Sequence, residues 1–176
     1  MTKKALNFIF YAIAFLYLFL MLDLLFRFNI VTGALDSSRS YNLIPFATIS
    51  RYLGSGAQAM TPKAIQNVFG NIAVFIPCGL YLQVFLKNKV FGRSFLVLIS
   101  MGASIEIIQM LLGVGVCDID DLILNCLGGI IGILLYKIIN RLSKNEEKAK
   151  MVVTILSLIV GPPVIFGYFF TALGFL

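Results

Sequence analysis

The sequence has no histidine and no tryptophan, and only 12% of its 176 residues are charged. Without histidine, a Ser-His-Asp triad is excluded and a zinc site would need unusual ligands. The three cysteines, Cys78, Cys117 and Cys126, have no CxxC spacing and are odd in number, so a disulfide framework has no support. Cys78 and Cys126 read as small packing residues, and Cys117 as a loop thiol open to reaction. No basic stripe interleaved with aromatics is present, which argues against nucleic-acid binding. The shortage of charge also argues against a soluble domain, in which about a quarter of residues are charged and about half are apolar. Here 60% are hydrophobic, more than a chain of this length hides in one core.

Long apolar runs take the place of charge. A helix crosses the hydrocarbon core with about 20 mostly apolar residues. Five stretches qualify: 5–26, broken only by Asn7 and Asp23, then 68–86, 94–112, 122–139 and 151–173. The expected fold is an all-α, polytopic transmembrane bundle of about five spans, forming one domain over 1–176. Lys3 and Lys4 precede the first run as in a signal peptide. That run is longer than a typical h-region and no small-x-small site follows closely, so it reads as a retained signal-anchor. Pro77 should kink the second span. Gly161-Pro162-Pro163 either kinks the last span or breaks it into a re-entrant hairpin; the kinked helix is favoured, because neighbouring helices re-satisfy the freed backbone.

Lys and Arg stay preferentially in cytoplasmic loops. With the N-terminus inside, the inner segments carry Lys3, Lys4, Lys87, Lys89, Arg93, Lys137, Arg141, Lys144, Lys148 and Lys150, ten of the fourteen basic residues. The outer segments carry Arg27, Arg39, Arg51 and Lys63. The expectation is a multi-pass cell-membrane protein with a cytoplasmic N-terminus and an extracellular C-terminus. Its net charge of +6 is then explained by contact with anionic inner-leaflet lipid.

Only the connection 27–67 is long enough to hold structure of its own. It contains Asn42-Leu-Ile-Pro-Phe46 and then a short amphipathic stretch, 47–53, expected to lie as a helix on the outer interface with Phe46, Ile49, Tyr52 and Leu53 toward lipid or the bundle. Thr61-Pro62 is a helix start, with Thr as N-cap and Pro at the first helical position. Gly128-x-x-x-Gly132 lets another helix approach closely, within the bundle or, as the alternative, in a homodimer.

Ionisable groups inside a span are costly and need a reason. Glu106 lies seven residues before Gly113, roughly 9–10 Å below the outer end of the third span. Gln109 shares its face. Asn67 and Asn71 share a face near the outer end of the second span, and Asp118, Asp121 and Asn125 stack on one face at the start of the fourth, with Asp120 pointing elsewhere. Three helices thus carry polar stripes at one depth. Arg39 and Arg51, in the outer loop, are natural partners for clustered carboxylates. The plain alternatives are an interhelical hydrogen-bond network and, for 118–121, a helix cap.

The segments Asn42-Leu-Ile-Pro-Phe46, Asn67-Val-Phe-Gly-Asn-Ile-Ala-Val-Phe-Ile-Pro-Cys-Gly79, Ser104-Ile-Glu-Ile-Ile-Gln109 and Asp118-Ile-Asp-Asp-Leu-Ile-Leu-Asn125, with Gly128-Gly129, resemble the VanZ-like membrane proteins. The resemblance covers about 40–136 and leaves the span 151–173 outside its core. The family's polar positions fall on Asn42, Asn67, Asn71, Glu106, Gln109, Asp118, Asp121 and Asn125. An Arg expected just before the Asp-x-x-Asp stretch is replaced by Gly115-Val116-Cys117. The family is named for an accessory protein of glycopeptide-resistance clusters that confers teicoplanin resistance. The resemblance therefore implies a phenotype and not a mechanism; the first mechanism to fit the polar stripes is an outward polar cleft that engages a lipid-linked envelope component or an acylated glycopeptide. An enzyme acting on a lipid head group is an alternative, with Glu106, Asp118 and Asp121 as oxygen ligands for a divalent cation or one of them as a base. A small transporter or flippase, dimeric and titrating at Glu106, is another. No other cofactor is expected.

Overall fold

The computed structural model describes residues 2–31, 41–54, 61–86, 90–113 and 115–172. Among the described residues there are six helices: α1 (Lys3–Val31), α2 (Ala47–Leu53), α3 (Pro62–Phe85), α4 (Phe91–Leu112), α5 (Ile119–Ser143) and α6 (Glu146–Ala172). All but α2 are long and apolar enough to cross a membrane. Three of the four long helices after α1 begin at a side-chain cap. Thr61 caps α3 by accepting the Ala64 N–H at 3.2 Å, with Pro62 at the first position. Asp118 caps α5 by accepting the Asp120 N–H at 2.9 Å. Asn145 caps α6 by accepting the Glu147 N–H at 2.7 Å. Gly113 ends α4 in the left-handed conformation that glycine adopts without strain.

The helix directions give the bundle two chemically distinct ends. α1, α4 and α6 start at the basic end, where Lys3, Arg93 and Lys148 sit, and α3 and α5 start at the other, acidic end with Asp118, Asp120 and Asp121. α6 is continuous through Pro162 and Pro163, so the chain does not turn back there as a re-entrant hairpin would. Position 173 of the expected last span lies outside the described residues. α3 likewise runs through Pro77. Near that proline the Val74 carbonyl accepts the Tyr17 hydroxyl of α1, so a neighbouring helix supplies a donor there.

α3 and α5 run parallel and form the closest seam. A Cβ on Gly128 would overlap the Ile72 carbonyl oxygen, one on Gly132 the Ile76 carbonyl oxygen, and one on Gly79 the Gly129 carbonyl oxygen. The small-x-x-x-small pattern therefore serves packing inside the bundle. Around this seam lie two apolar clusters. Phe10, Tyr81, Tyr136 and Val153 join α1, α3, α5 and α6. Met21, Phe75, Leu98, Ile105 and Ile133 join α1, α3, α4 and α5. Polar ties also cross the basic half, among them Gln83 donating to Ser94 at 2.6 Å and Tyr81 donating to Ser157 at 2.8 Å.

One small feature was not expected from an all-helical reading. Tyr41–Asn42 (β1) and Cys117–Asp118 (β2) pair in parallel, with Asn42 opposite Asp118. This two-residue ladder pins the long connection against the turn before α5.

Candidate functional site

The acidic end is built around backbone groups. α2 starts at Phe46, whose left-handed backbone (φ 64°) offers no side-chain cap. Its orphan N–H groups are satisfied from α5. The Asp120 carboxylate, fully buried, accepts the N–H groups of Phe46 (2.5 Å), Thr48 (2.7 Å) and Ile49 (3.0 Å). The charge meets the positive end of a helix and three donors at once. Asp120 does point away from the Asp118–Asp121–Asn125 stripe, but toward α2, where it is the most completely buried carboxylate of the cluster.

Asp118 is engaged as fully. It accepts the Thr48 hydroxyl at 2.7 Å and the Asn42 amide at 3.4 Å, besides capping α5. Asn42 also donates to Thr48 at 3.0 Å. Glu106, buried on α4, accepts the Asp118 N–H at 3.1 Å, which ties α4 to β2. Asp121 accepts from Asn71 at 2.8 Å and is also hydrogen-bonded by Asn67, both from α3.

The cluster thus draws in Asn42, Asn67, Asn71, Glu106, Asp118 and Asp121. Gln109 goes elsewhere: its side chain donates to the Leu25 carbonyl of α1 at 2.9 Å. Asn125 lies one turn below Asp121, buried between α4 and α5 beside Gly102. Arg39 lies outside the described residues. Arg51 is exposed, and among the described residues no Lys or Arg forms an ion pair with these four carboxylates. Three participants escaped the sequence reading: Asp120, Thr48 and Tyr52. Tyr52, on α2, is half-buried, and burial pushes its hydroxyl up from the ordinary range; Asp121 and Asp118 add to this and Arg51 opposes it. It stays a protonated donor beside the carboxylates. Burial also pushes the Cys117 thiol up, reinforced by Glu106 and Asp118, which makes the loop thiol a poor nucleophile.

The balance of donors and acceptors defines what this site does chemically. Asp118 and Asp120 are consumed by internal bonds. Glu106 and Asp121 receive fewer donors than two carboxylates accept, and the Oδ1 atoms of Asn67 and Asn125 are buried without a partner among the described residues. Acceptors are in excess. Among the described residues, no three His, Cys, Asp or Glu side chains gather closely enough to hold a metal ion.

Five membrane-length helices define a multi-pass membrane protein, and its buried carboxylates gather at one end. A family model described as VanZ/LLP1 matches residues 8–140, and the chain belongs to that family. The matched region takes in most of α1, all of α2 to α4, most of α5 and the whole acidic network, and ends before α6. The chain is 28% identical to Protein VanZ of Enterococcus faecium over 134 residues, 76% of this chain and 74% of that protein. No solved structure matches it.

Proposed function

We propose that the acidic end faces outward and binds a hydrogen-bond-donor-rich group at the outer leaflet. The ligand would be a lipid-linked envelope component or an acylated glycopeptide, and binding it would contribute to teicoplanin resistance. The observation that carries this reading is the excess of acceptors without a basic partner among the described residues. Such a set of buried acceptors favours hydroxyl, amide and ammonium donors and disfavours a bare phosphate. A lipid-linked ligand is therefore held by its sugar or peptide portion, with its chain in the bilayer. The sidedness rests on ten of fourteen basic residues falling in the segments assigned to the cytoplasm. Membership of the VanZ family supports the phenotype.

The test is susceptibility to teicoplanin, together with binding of teicoplanin to purified protein, for Asp121→Asn and Glu106→Gln. Both keep side-chain shape and replace the carboxyl group by an amide. The expected result is loss of protection and of binding at unchanged membrane abundance. Full protection and binding in both variants would reject the site.

A further inference from the structure

A groove of about 500 Å³ opens sideways between α1 and α4, on a different face from the acidic network. Its walls are apolar, with Leu18 and Leu22 from α1 and Leu96, Met101 and Ile108 from α4. The splay of the two helices explains it. At the acidic end they are joined by the Gln109 bond to the Leu25 carbonyl. Toward the basic end α1 is drawn away from α4, because Phe10 packs on Tyr81 and Phe85 of α3 and Asn7 accepts a 2.6 Å bond from Lys150 of α6. Small side chains on α4 deepen the gap. Ser104 donates to the Ser100 carbonyl of its own helix at 2.7 Å, so its hydroxyl makes no demand on an occupant.

The groove also has a charged mouth. Arg93 lines it at the basic end, fifteen residues before Ile108 on the same helix. That separation is about 22 Å along the axis. The hydrocarbon thickness of one leaflet is about 15 Å, half of the bilayer core. A single lipid tail entering beside Arg93 therefore fits within the groove, and its volume lies in the ordinary range for ligand sites. A guanidinium matches phosphate oxygens in a bidentate way.

We infer that the α1–α4 groove seats one chain of an anionic phospholipid, with its phosphate against Arg93. This inference uses a different face and a charge of opposite sign from the proposed teicoplanin-related site, so either stands if the other fails. The lipid holds open a gap that would otherwise leave apolar walls without contacts, and it fixes the angle between α1 and α4.

The experiment is native mass spectrometry of the full chain with phosphatidylglycerol or phosphatidylcholine, plus photo-crosslinking with a diazirine-tailed phosphatidylglycerol. Wild type should retain phosphatidylglycerol about fivefold better than phosphatidylcholine, the worth of one basic contact at the membrane surface. Arg93→Gln, at an exposed position, should abolish that preference and keep the fold. Ser104→Phe should fill the groove and remove crosslinks to Leu18 and Met101. Equal retention of the two lipids, crosslinks spread evenly around the bundle, or a second copy of the chain crosslinked through the groove would each overturn the proposal.

Discussion

The two ends of this bundle hold charge in opposite ways. At the acidic end, Glu106, Asp118 and Asp120 are buried, and each accepts bonds from backbone or hydroxyl groups of another segment. At the basic end the charges stay near water. Lys3 and Glu147 pair at 2.6 Å while 71% and 55% exposed, and Lys150 lays its ammonium over the rings of Phe10 and Tyr11 at 4.6 and 4.7 Å. A buried carboxylate far from water needs hydrogen-bond donors or it destabilises the fold. An exposed ammonium has no such requirement. The acidic end is therefore a buried hydrogen-bonded network, whereas the basic end packs through long side chains whose charged heads stay exposed or lie over rings.

The largest test of that contrast is Asp120→Ala. It strands three N–H groups at the start of α2, and each orphaned buried donor costs about 1–3 kcal/mol. A loss of about 3 kcal/mol or more is expected in denaturant unfolding of the detergent-solubilised protein. Trypsin cleavage at Arg51 should accelerate as α2 detaches. Next in size is the seam that aligns the site. Gly132→Leu drives a side chain into the Ile76 backbone and should cost about 1–3 kcal/mol. Gly161→Ala in α6, where a Cβ meets nothing within 4 Å, should change stability by less than about 1 kcal/mol. If the two glycine variants behaved alike, the α3–α5 seam would lose its special status.

Much of this architecture is legible in the sequence because the signals are local. The residues of α2 and the Thr61-Pro62 start of α3 are written in contiguous chemistry, and apolar run length sets the five long helices. Helical spacing also brings Asp118, Asp121 and Asn125 onto one face. Spacing says which residues share a face but not what that face meets. Asp120 caps a helix more than seventy positions away, and nothing near Phe46 announces the need, except that Phe46 offers no side-chain oxygen as a cap. Gln109 follows the same logic: it shares a helix with Glu106, yet its partner is the Leu25 carbonyl. The β1–β2 ladder is too short to leave any pattern of alternation.

Smaller effects report the field at the acidic end. Glu106 and Asp118 help to hold the Cys117 thiol above its ordinary range. Glu106→Gln removes one negative neighbour and keeps an acceptor for the Asp118 N–H. The Cys117 pKa should fall and the thiolate fraction rise, so maleimide labelling at pH 8 should speed up a few-fold. In the same way Asp121→Asn should bring Tyr52 ionisation back down toward the ordinary phenol range. Ultraviolet titration, with Tyr52→Phe subtracted, reads this directly. Unchanged titration at both residues would mean that burial alone raises them and that the carboxylates do not act on them.

The smallest expected effect lies at the basic end, and it separates two contributions. Breaking an exposed pair costs about 0.2–1 kcal/mol. Glu147→Gln also removes a negative charge from the first turn of α6, where it favours the helix dipole; the Asn145 cap remains in place. Lys3→Gln breaks the same pair but removes a positive charge from the first turn of α1, where it opposes the dipole. Glu147→Gln should therefore lose up to about 1 kcal/mol, and Lys3→Gln close to nothing. Raising the salt concentration should shrink the difference, because both groups are solvent-exposed. A loss at Lys3 as large as that of Asp120→Ala would break the contrast between the two ends, since it would make an exposed pair as structural as a buried carboxylate.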